Sequence, residues 1–357
     1  MKKFLKSFFV FLLIIVLFAA AAASAGLVYL TVNEYNPADT EDLDFYGTAT
    51  KGLSQGDTVT VLTYNIGHGF SDSSHDFFLY GGKTVKTESS DIINENLNGI
   101  TEIINEQNAD IDFLQEVDID SKLSYNIDQA SYITSSMYNS NFSFAPNLLC
   151  SYIPYPVTNN IGKTHSGIMN VNKFTVDSAL RSSLKNSYEW PQSTVRHKYC
   201  MLIERTPIQD STKQLVTINL QFDGEDSSTN EAQFKALCEF MQLEFAKGNY
   251  VIAGGDFNGM LPSVNKNKYP SVNTEYYDPS SFTTEHLTEG WKYCTDDSTP
   301  TARLMNVPYD KNSSDNQFYV IDGFITSPNT IVESTKTIDT DFRCSSHNPV
   351  LIKVTLV

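Results

Sequence analysis

Positive charge is what this sequence has least of. Lysine and arginine number 25 against 42 aspartates and glutamates, a formal charge of −17 over 357 residues. A general nucleic-acid coat protein needs a basic face to displace counterions, so this balance excludes that class. It leaves room for an enzyme whose bound cations make a local positive site. Cysteine is scarce too. Cys150, Cys200, Cys238, Cys294 and Cys344 are widely spaced, none forms a C-x-x-C pair, and an odd count cannot pair completely. They read mainly as small buried hydrophobes. A single bridge fits the count, and the spacing does not select one. The chain has no Gly-rich or Gln-rich tract and no internal repeat. It also has no Walker loop, no G-x-G-x-x-G and no H-E-x-x-H. What it does have is 41% apolar residues, enough to fill a core, which excludes a disordered or fibrous chain.

The N-terminus carries Lys2, Lys3 and Lys6 and no acid, followed by the uncharged run Phe8–Val32. Two readings fit. One is a signal peptide cut after Ala23-Ser24-Ala25. The other is an uncleaved anchor, because the run continues through Leu27, Val28, Tyr29 and Leu30 and roughly 20 apolar residues span a bilayer. Both put the remainder outside the cytoplasm, since the lysines stay inside. It is either membrane-anchored with an extracytoplasmic domain or secreted after cleavage. Without residues 1–32 the net charge is −20. Such a domain is repelled by anionic surfaces unless a cation intervenes.

Residues 33–57 are polar, contain Pro37 and scattered acids, and read as a tether. Residues 58–357 read as one domain of mixed α and β content. Thr58–Tyr64 is β-branched and alternating, a strand. Ile93, Leu97, Ile100 and Ile104 share one helical face, with Ser89 or Ser90 able to cap the helix. Ile111–Gln115 is the next strand, ending at Glu116. Short strands follow at Gly167–Asn172, Tyr199–Glu204 and Gln214–Leu220. Ser228-x-x-Glu231 resembles a capping box opening a helix with Phe234, Leu237, Cys238, Met241 and Phe245 on one face. Gly248 ends that helix, and Tyr250–Ala253 is a strand. The stretch from Gly259 to about Asn316 shows little periodicity. The last strands are Phe318–Ile325 and Pro349–Thr355.

Polar residues recur at strand ends, where mixed sheets place ligands. They are Tyr64-Asn65-Ile66-Gly67, Gln115-Glu116, Gly255-Asp256-Phe257-Asn258, Ile321-Asp322-Gly323 and Ser345-Ser346-His347-Asn348-Pro349-Val350. The Leu-Gln-Glu triplet, the Gly-Asp-Phe-Asn tetrapeptide and the near-terminal Ser-x-His-Asn-Pro-Val are the most specific. In this order and spacing they resemble the endonuclease/exonuclease/phosphatase superfamily, over Thr58–Val357. That superfamily includes pancreatic-type deoxyribonucleases, abasic-site endonucleases, neutral sphingomyelinases and inositol polyphosphate 5-phosphatases. The resemblance implies an α+β fold: two packed mixed β-sheets flanked by helices, a four-layer α/β/β/α sandwich, behind the N-terminal hydrophobic segment.

It also implies a hydrolase acting on ester bonds, a metal-dependent phosphodiesterase, endonuclease or phosphatase. Hydrolysis of a phosphoester needs charge neutralised on the non-bridging oxygens, an aligned water and help for the leaving alkoxide. By resemblance Glu116 is the main ligand of Mg²⁺ or Mn²⁺, with Asn65 and Asp256 beside it. Asp256 aligns or deprotonates water. Asn258, Asn219 and His347 meet the phosphate, and Asp322 orients His347. Two positions depart from the pattern. Ser346 stands where the family has aspartate, and Asn219 where many members have histidine. These losses keep a second expectation open, a degenerate member binding phosphate or metal without turnover. His68 and His75 read as residues of a mobile loop, with His68 able to touch substrate. The expected substrate is a phosphodiester: a lipid headgroup or small phosphoester ranks above nucleic acid, for which no dense basic patch exists. The membrane is the other expected partner, through residues 8–32, and a monomer is expected.

Overall fold

The computed structural model describes residues 2–357 except Asn273. Helix α1 (Lys2–Val32) is apolar on all sides and stands outside the packed core. By length and composition it is able to cross a membrane. The next residues are not a tether. They form β1 (Thr40–Leu43) and β2 (Phe45–Gly47), which close the edges of two different sheets. Their length hid them, because strands of four and three residues carry too little pattern to read.

The remaining strands of the two large sheets are β3 (Thr58–Asn65), β4 (Ile111–Asp118), β5 (Asn141–Ile153), β6 (Gly162–Asn172), β7 (Ser178–Ser183), β8 (Cys200–Pro207) and β9 (Gln214–Gln221). They continue with β10 (Tyr250–Asp256), β11 (Lys292–Cys294), β12 (Asp322–Thr326), β13 (Thr330–Thr337) and β14 (Val350–Leu356). One seven-stranded sheet runs β1-β7-β8-β9-β10-β12-β11 and the other β13-β14-β3-β4-β6-β5-β2. Both are mixed. Helix α2 (Ser90–Gln107) joins the parallel pair β3/β4, and helix α4 (Ser227–Ala246) joins the parallel pair β9/β10; the short α3 (Gln129–Thr134) lies between them in sequence. The layers are therefore helix, sheet, sheet, helix, the expected sandwich.

Helix α2 covers its sheet with Ile93, Leu97, Ile100 and Ile104, all buried. Helix α4 covers the other with Phe234, Leu237, Cys238 and Met241. Burying each such side chain contributes roughly 1.5–3 kcal/mol. Ser89 holds the N-cap position of α2 without a side-chain bond. The capping box at Ser228 is displaced: Asp226 caps α4, its carboxylate accepting from Thr229 N at 2.7 Å. All five cysteines are free and buried.

The layer between the sheets is divided. One half is apolar, with Val59, Val61, Phe113, Ile252, Phe324 and Ile352. The other is polar. Gln115 Nε2 donates to Asn219 Oδ1 at 2.7 Å and to Thr63 Oγ1 at 3.1 Å. Farther along, Ser143 and Asn172 donate to the buried Glu204. Burial pushes the Glu204 carboxyl up, opposed by those donors. Buried polar groups persist only when bonded, and this seam bonds across the two sheets. Asp226→Ala removes the α4 cap and is expected to lower unfolding stability by about 0.5–2 kcal/mol in a urea titration.

Candidate active site

The parallel pairs β3/β4 and β9/β10 end at the same edge of the sandwich, and their last residues meet there. Asn65 closes β3. Its Nδ2 donates to Glu116 Oε1 of β4 and to Asp256 Oδ2 of β10, both at 3.1 Å. Its Oδ1 accepts from Gly67 N at 2.9 Å. Asn65 therefore bridges two carboxylates through its amide nitrogen, while its oxygen accepts one bond and keeps a second lone pair.

Glu116 reaches this point because β4 is irregular. Its pairing with β6 shifts between Leu114 and Val117, and Glu116 has φ 56°. A bulge turns the side chain out of the strand's alternation and toward the other sheet. His68 (φ 54°) and Asn258 (φ 45°) share this left-handed conformation. It costs a non-glycine residue roughly 1–2 kcal/mol, and its concentration here marks a built site. Gly255 is required for a different reason. With φ 148°, a Cβ there would meet Leu220 O at 1.9 Å. Only glycine lets β10 approach β9 this closely just before Asp256.

Asp256 is buried. Burial first, then Asp322, pushes its carboxyl up to about 7. Asn258 holds it, donating from its backbone N to Oδ1 at 2.9 Å and from Nδ2 to Oδ2 at 3.2 Å. Asn258 Nδ2 also donates to Phe222 O at 2.9 Å, and its Oδ1 accepts from Tyr277 at 3.0 Å. Its amide is spent on positioning Asp256 and has no proton left for a phosphate. Asp322 lies directly opposite Asp256 in the antiparallel register of β10 and β12. Thr301 Oγ1 accepts from the backbone N of Ile321 and of Asp322, fixing that strand start. His347 Nδ1 donates to Asp322 Oδ2 at 2.9 Å. Burial lowers the His347 imidazole, but Asp322 outweighs it, with help from Asp256 and Glu116, and it titrates at about 9.

Three corrections follow. Asn219 does not reach the site. It is fully buried, donating to Leu114 O and Met169 O and accepting from Gln115. Gln221, two residues on and on the same strand face, does reach it, donating to Glu116 Oε1 at 2.7 Å. Strand alternation keeps the face while each pair of residues advances roughly 6.6 Å, which separates interior from mouth. His68 is not a mobile-loop residue. Its Nδ1 lies 3.0 Å from Asp118 Oδ1 and its Nε2 3.4 Å from Glu116 Oε2. Burial lowers it, but Asp118 and Glu116 carry it up to about 9. Gln129 locks this pair, accepting from Asp118 N and donating to His68 O. His75 is likewise fixed, buried against Asp72. Among the residues outside the expectation, Gln221 had the clearest signal, standing at the strand end opposite Asp256.

The donor set suits a divalent cation. One ligand atom each from Asp256, Asp322 and His347 lie within 4.8 Å of one another, but a protonated His347 held by Asp322 offers a metal no lone pair, which leaves the carboxylates of Asp256 and Glu116 as donors. Glu116 and Asp256 face a common amide. Burial raises Glu116, but His68, Asn65, His347 and Gln221 together hold it low and ionised. Carboxylate oxygens gathered in a buried cleft favour Mg²⁺ or Mn²⁺ and relieve their own repulsion by binding it. Ser346 adds no charge: its backbone N meets Ser71 Oγ and its O accepts from Arg303.

Comparison with solved structures identifies the architecture. The endonuclease/exonuclease/phosphatase from Beutenbergia cavernae superposes with a TM-score of 0.55 at 11% identity, covering 84% of this chain and 72% of its own. TDP2 from Caenorhabditis elegans gives 0.52 at 15%, covering 84% and 75%. The endonuclease/exonuclease/phosphatase from Bacteroides vulgatus gives 0.52 at 14%, covering 84% and 100%. This chain has the endonuclease/exonuclease/phosphatase fold. No sequence-family profile matches it, and no curated protein sequence does.

The raised His347 pKa contributes stability that is fully present below about 6.5 and is lost as pH rises through about 9. Asp322→Asn removes the main charge opposing burial. The His347 imidazole, followed by NMR, is then expected to titrate well below its parent position. A titration that stays near about 9 would assign the shift to Asp256 and Glu116.

Proposed function

We propose that this protein is a divalent-cation-dependent phosphodiesterase that cleaves its ester by attack of water. The observation that carries the reading is the convergence of Asp256, the Asp322–His347 pair and Glu116 around the Asn65 amide. Burial and Asp322 raise the Asp256 carboxyl above the ordinary carboxylate range, which makes it a stronger base toward an attacking water. Asn65 and Asn258 fix the orientation of its carboxylate. His347 turns Nδ1 to Asp322, which leaves Nε2 for a non-bridging phosphoryl oxygen, and its positive charge balances charge gathering there. Gln221 and His68 hold Glu116 in place. Glu116 with Asp256 would hold Mg²⁺ or Mn²⁺, which would supply Lewis-acid stabilisation of the phosphoryl group.

α1 is the membrane anchor in this reading, with Lys2, Lys3 and Lys6 on the cytoplasmic side and the domain outside. Ser346 supports a second reading, a phosphate- or metal-binding protein without turnover, because no carboxylate precedes His347.

Hydrolysis of bis-p-nitrophenyl phosphate by the full-length protein, with Mg²⁺, with Mn²⁺ and with chelator, separates the two. Turnover is expected only with metal. Glu116→Ala and His347→Ala are each expected to lower kcat/KM roughly 100- to 1,000-fold. Folded, metal-binding protein with no turnover above these variants would establish the binding reading. Gln221→Ala is expected to impair turnover, through the freed Glu116, more than the conservative Gln221→Asn does.

A further inference from the structure

The end of α1 is stapled to one side of the domain. Trp190 Nε1 donates to Thr31 Oγ1 at 3.0 Å in the helix's last turn. Lys198 Nζ meets Glu34 Oε1 at 2.6 Å, both side chains largely buried. The Arg181 guanidinium lies 5.7 Å from the Tyr35 ring and bonds to Pro146 O, Ser183 Oγ and Lys198 O. Strand β1 follows within five residues. The face beside the helix exit therefore keeps a fixed orientation to any bilayer that holds α1.

That face has an unusual surface. In a domain of net charge −20, no charged residue occurs between Asp128 and Lys163. The tip of the β5–β6 hairpin lies in this stretch. Its base, Ile153 and Ile161, packs with Val195 of the short 3₁₀ turn Gln192–Val195, which α1 touches. At the tip Tyr155 is 58% exposed and Val157 86%, and Trp190 at the helix exit is 60% exposed. The same tip also reaches the catalytic cleft. Tyr155 packs on Phe78 at 5.6 Å between ring centroids. Phe78 opens the 3₁₀ turn Phe78–Tyr80. Phe78 packs on Phe77 at 4.9 Å, Phe77 on Phe70 at 5.1 Å, and Phe70 stacks on His68 at 6.4 Å, whose ring lies against Glu116. A lip of the exposed Trp190, Tyr155 and Val157, with Lys122 and Glu189 at its sides, thus runs from the helix exit to the aromatic stack that ends on His68 at the site.

Tryptophan and tyrosine favour the headgroup layer, where an apolar ring and a polar edge are both satisfied. An exposed apolar edge continuous with a membrane helix gains by entering the same interface. We propose that this lip seats in the bilayer that holds α1, and that the site takes the phosphodiester in the headgroup of a lipid of that bilayer. The proposal rests on the phosphodiesterase reading above. The water oxygen bonds to phosphorus, the bond from phosphorus to one of its two ester oxygens breaks, and that alcohol leaves with a proton. The phosphate monoester stays on the other alcohol, and the second proton from water passes to solvent.

The test uses the full-length protein in vesicles of equal parts phosphatidylcholine, phosphatidylethanolamine and phosphatidylglycerol. In a Trp190→Phe background, Val157→Trp is expected to lose at least half of its added emission when the acyl chains are brominated. Phosphorus NMR of the same vesicles is expected to show headgroup hydrolysis. Tyr155→Asp with Val157→Asp is expected to lower that rate at least tenfold while turnover of bis-p-nitrophenyl phosphate stays within twofold. Absence of quenching, or an equal loss on both substrates, overturns the lip. Turnover of dissolved esters or of DNA with none of vesicle lipid overturns the lipid assignment and leaves the phosphodiesterase reading standing. Quenching without turnover of any ester overturns that reading, and the substrate assignment with it.

Discussion

Two carboxylates from two different sheets share one amide nitrogen. Asn65 donates to Glu116 and to Asp256 at equal distance, and through that amide the sandwich is pinned at its open edge. Without the bridge, two buried acids would face each other with only repulsion between them. With it, Glu116 stays ionised under the influence of His68 and Gln221, while Asp256 is pushed toward neutrality by burial and Asp322. A pair of acids with separated affinities for the proton is what a hydrolytic centre needs from otherwise identical groups.

The charges around the bridge alternate. Asp118, His68 and Glu116 form one run, and Asp322 with His347 forms another on the far side of Asp256. Each imidazole is raised to about 9 by the acids beside it, against the effect of burial. Two imidazoles stand among Asp118, Glu116, Asp256 and Asp322, so the cleft remains net acidic, and a bound cation is what would make it attractive to a phosphate. The backbone contributes as well. Glu116, His68 and Asn258 hold left-handed conformations that the surrounding packing imposes, and each aims a side chain that regular geometry would point elsewhere.

The residues after α1 extend the same logic to the whole molecule. They close the edge of each sheet and bury an ion pair, so the chain leaving the apolar helix is held directly against the domain. The polar groups of the inter-sheet layer, Gln115 with Asn219 and Glu204 with Ser143 and Asn172, bond among themselves, and the site forms its own set around Asn65 at the strand ends.

Local pattern determined a good deal by itself. The 4-3-4 spacing of isoleucine and leucine specified α2, and the strand–helix–strand order specified both parallel pairs. Short motifs at strand ends marked Asn65, Glu116, Asp256, Asp322 and His347, because chemistry at a sheet edge needs polar residues just where an apolar strand stops. Tertiary structure decided what alternation leaves ambiguous. Asn219 and Gln221 lie on the same strand face, and only the pairing of β9 with β10 shows that one is interior and the other at the mouth. His68 looked like loop until Asp118, brought in by β4, fixed its ring. The edge strands β1 and β2 are too short to read, because their partners supply the order. A motif records which groups the chain can offer. Distance in space, set by sheet register, settles which of them act together.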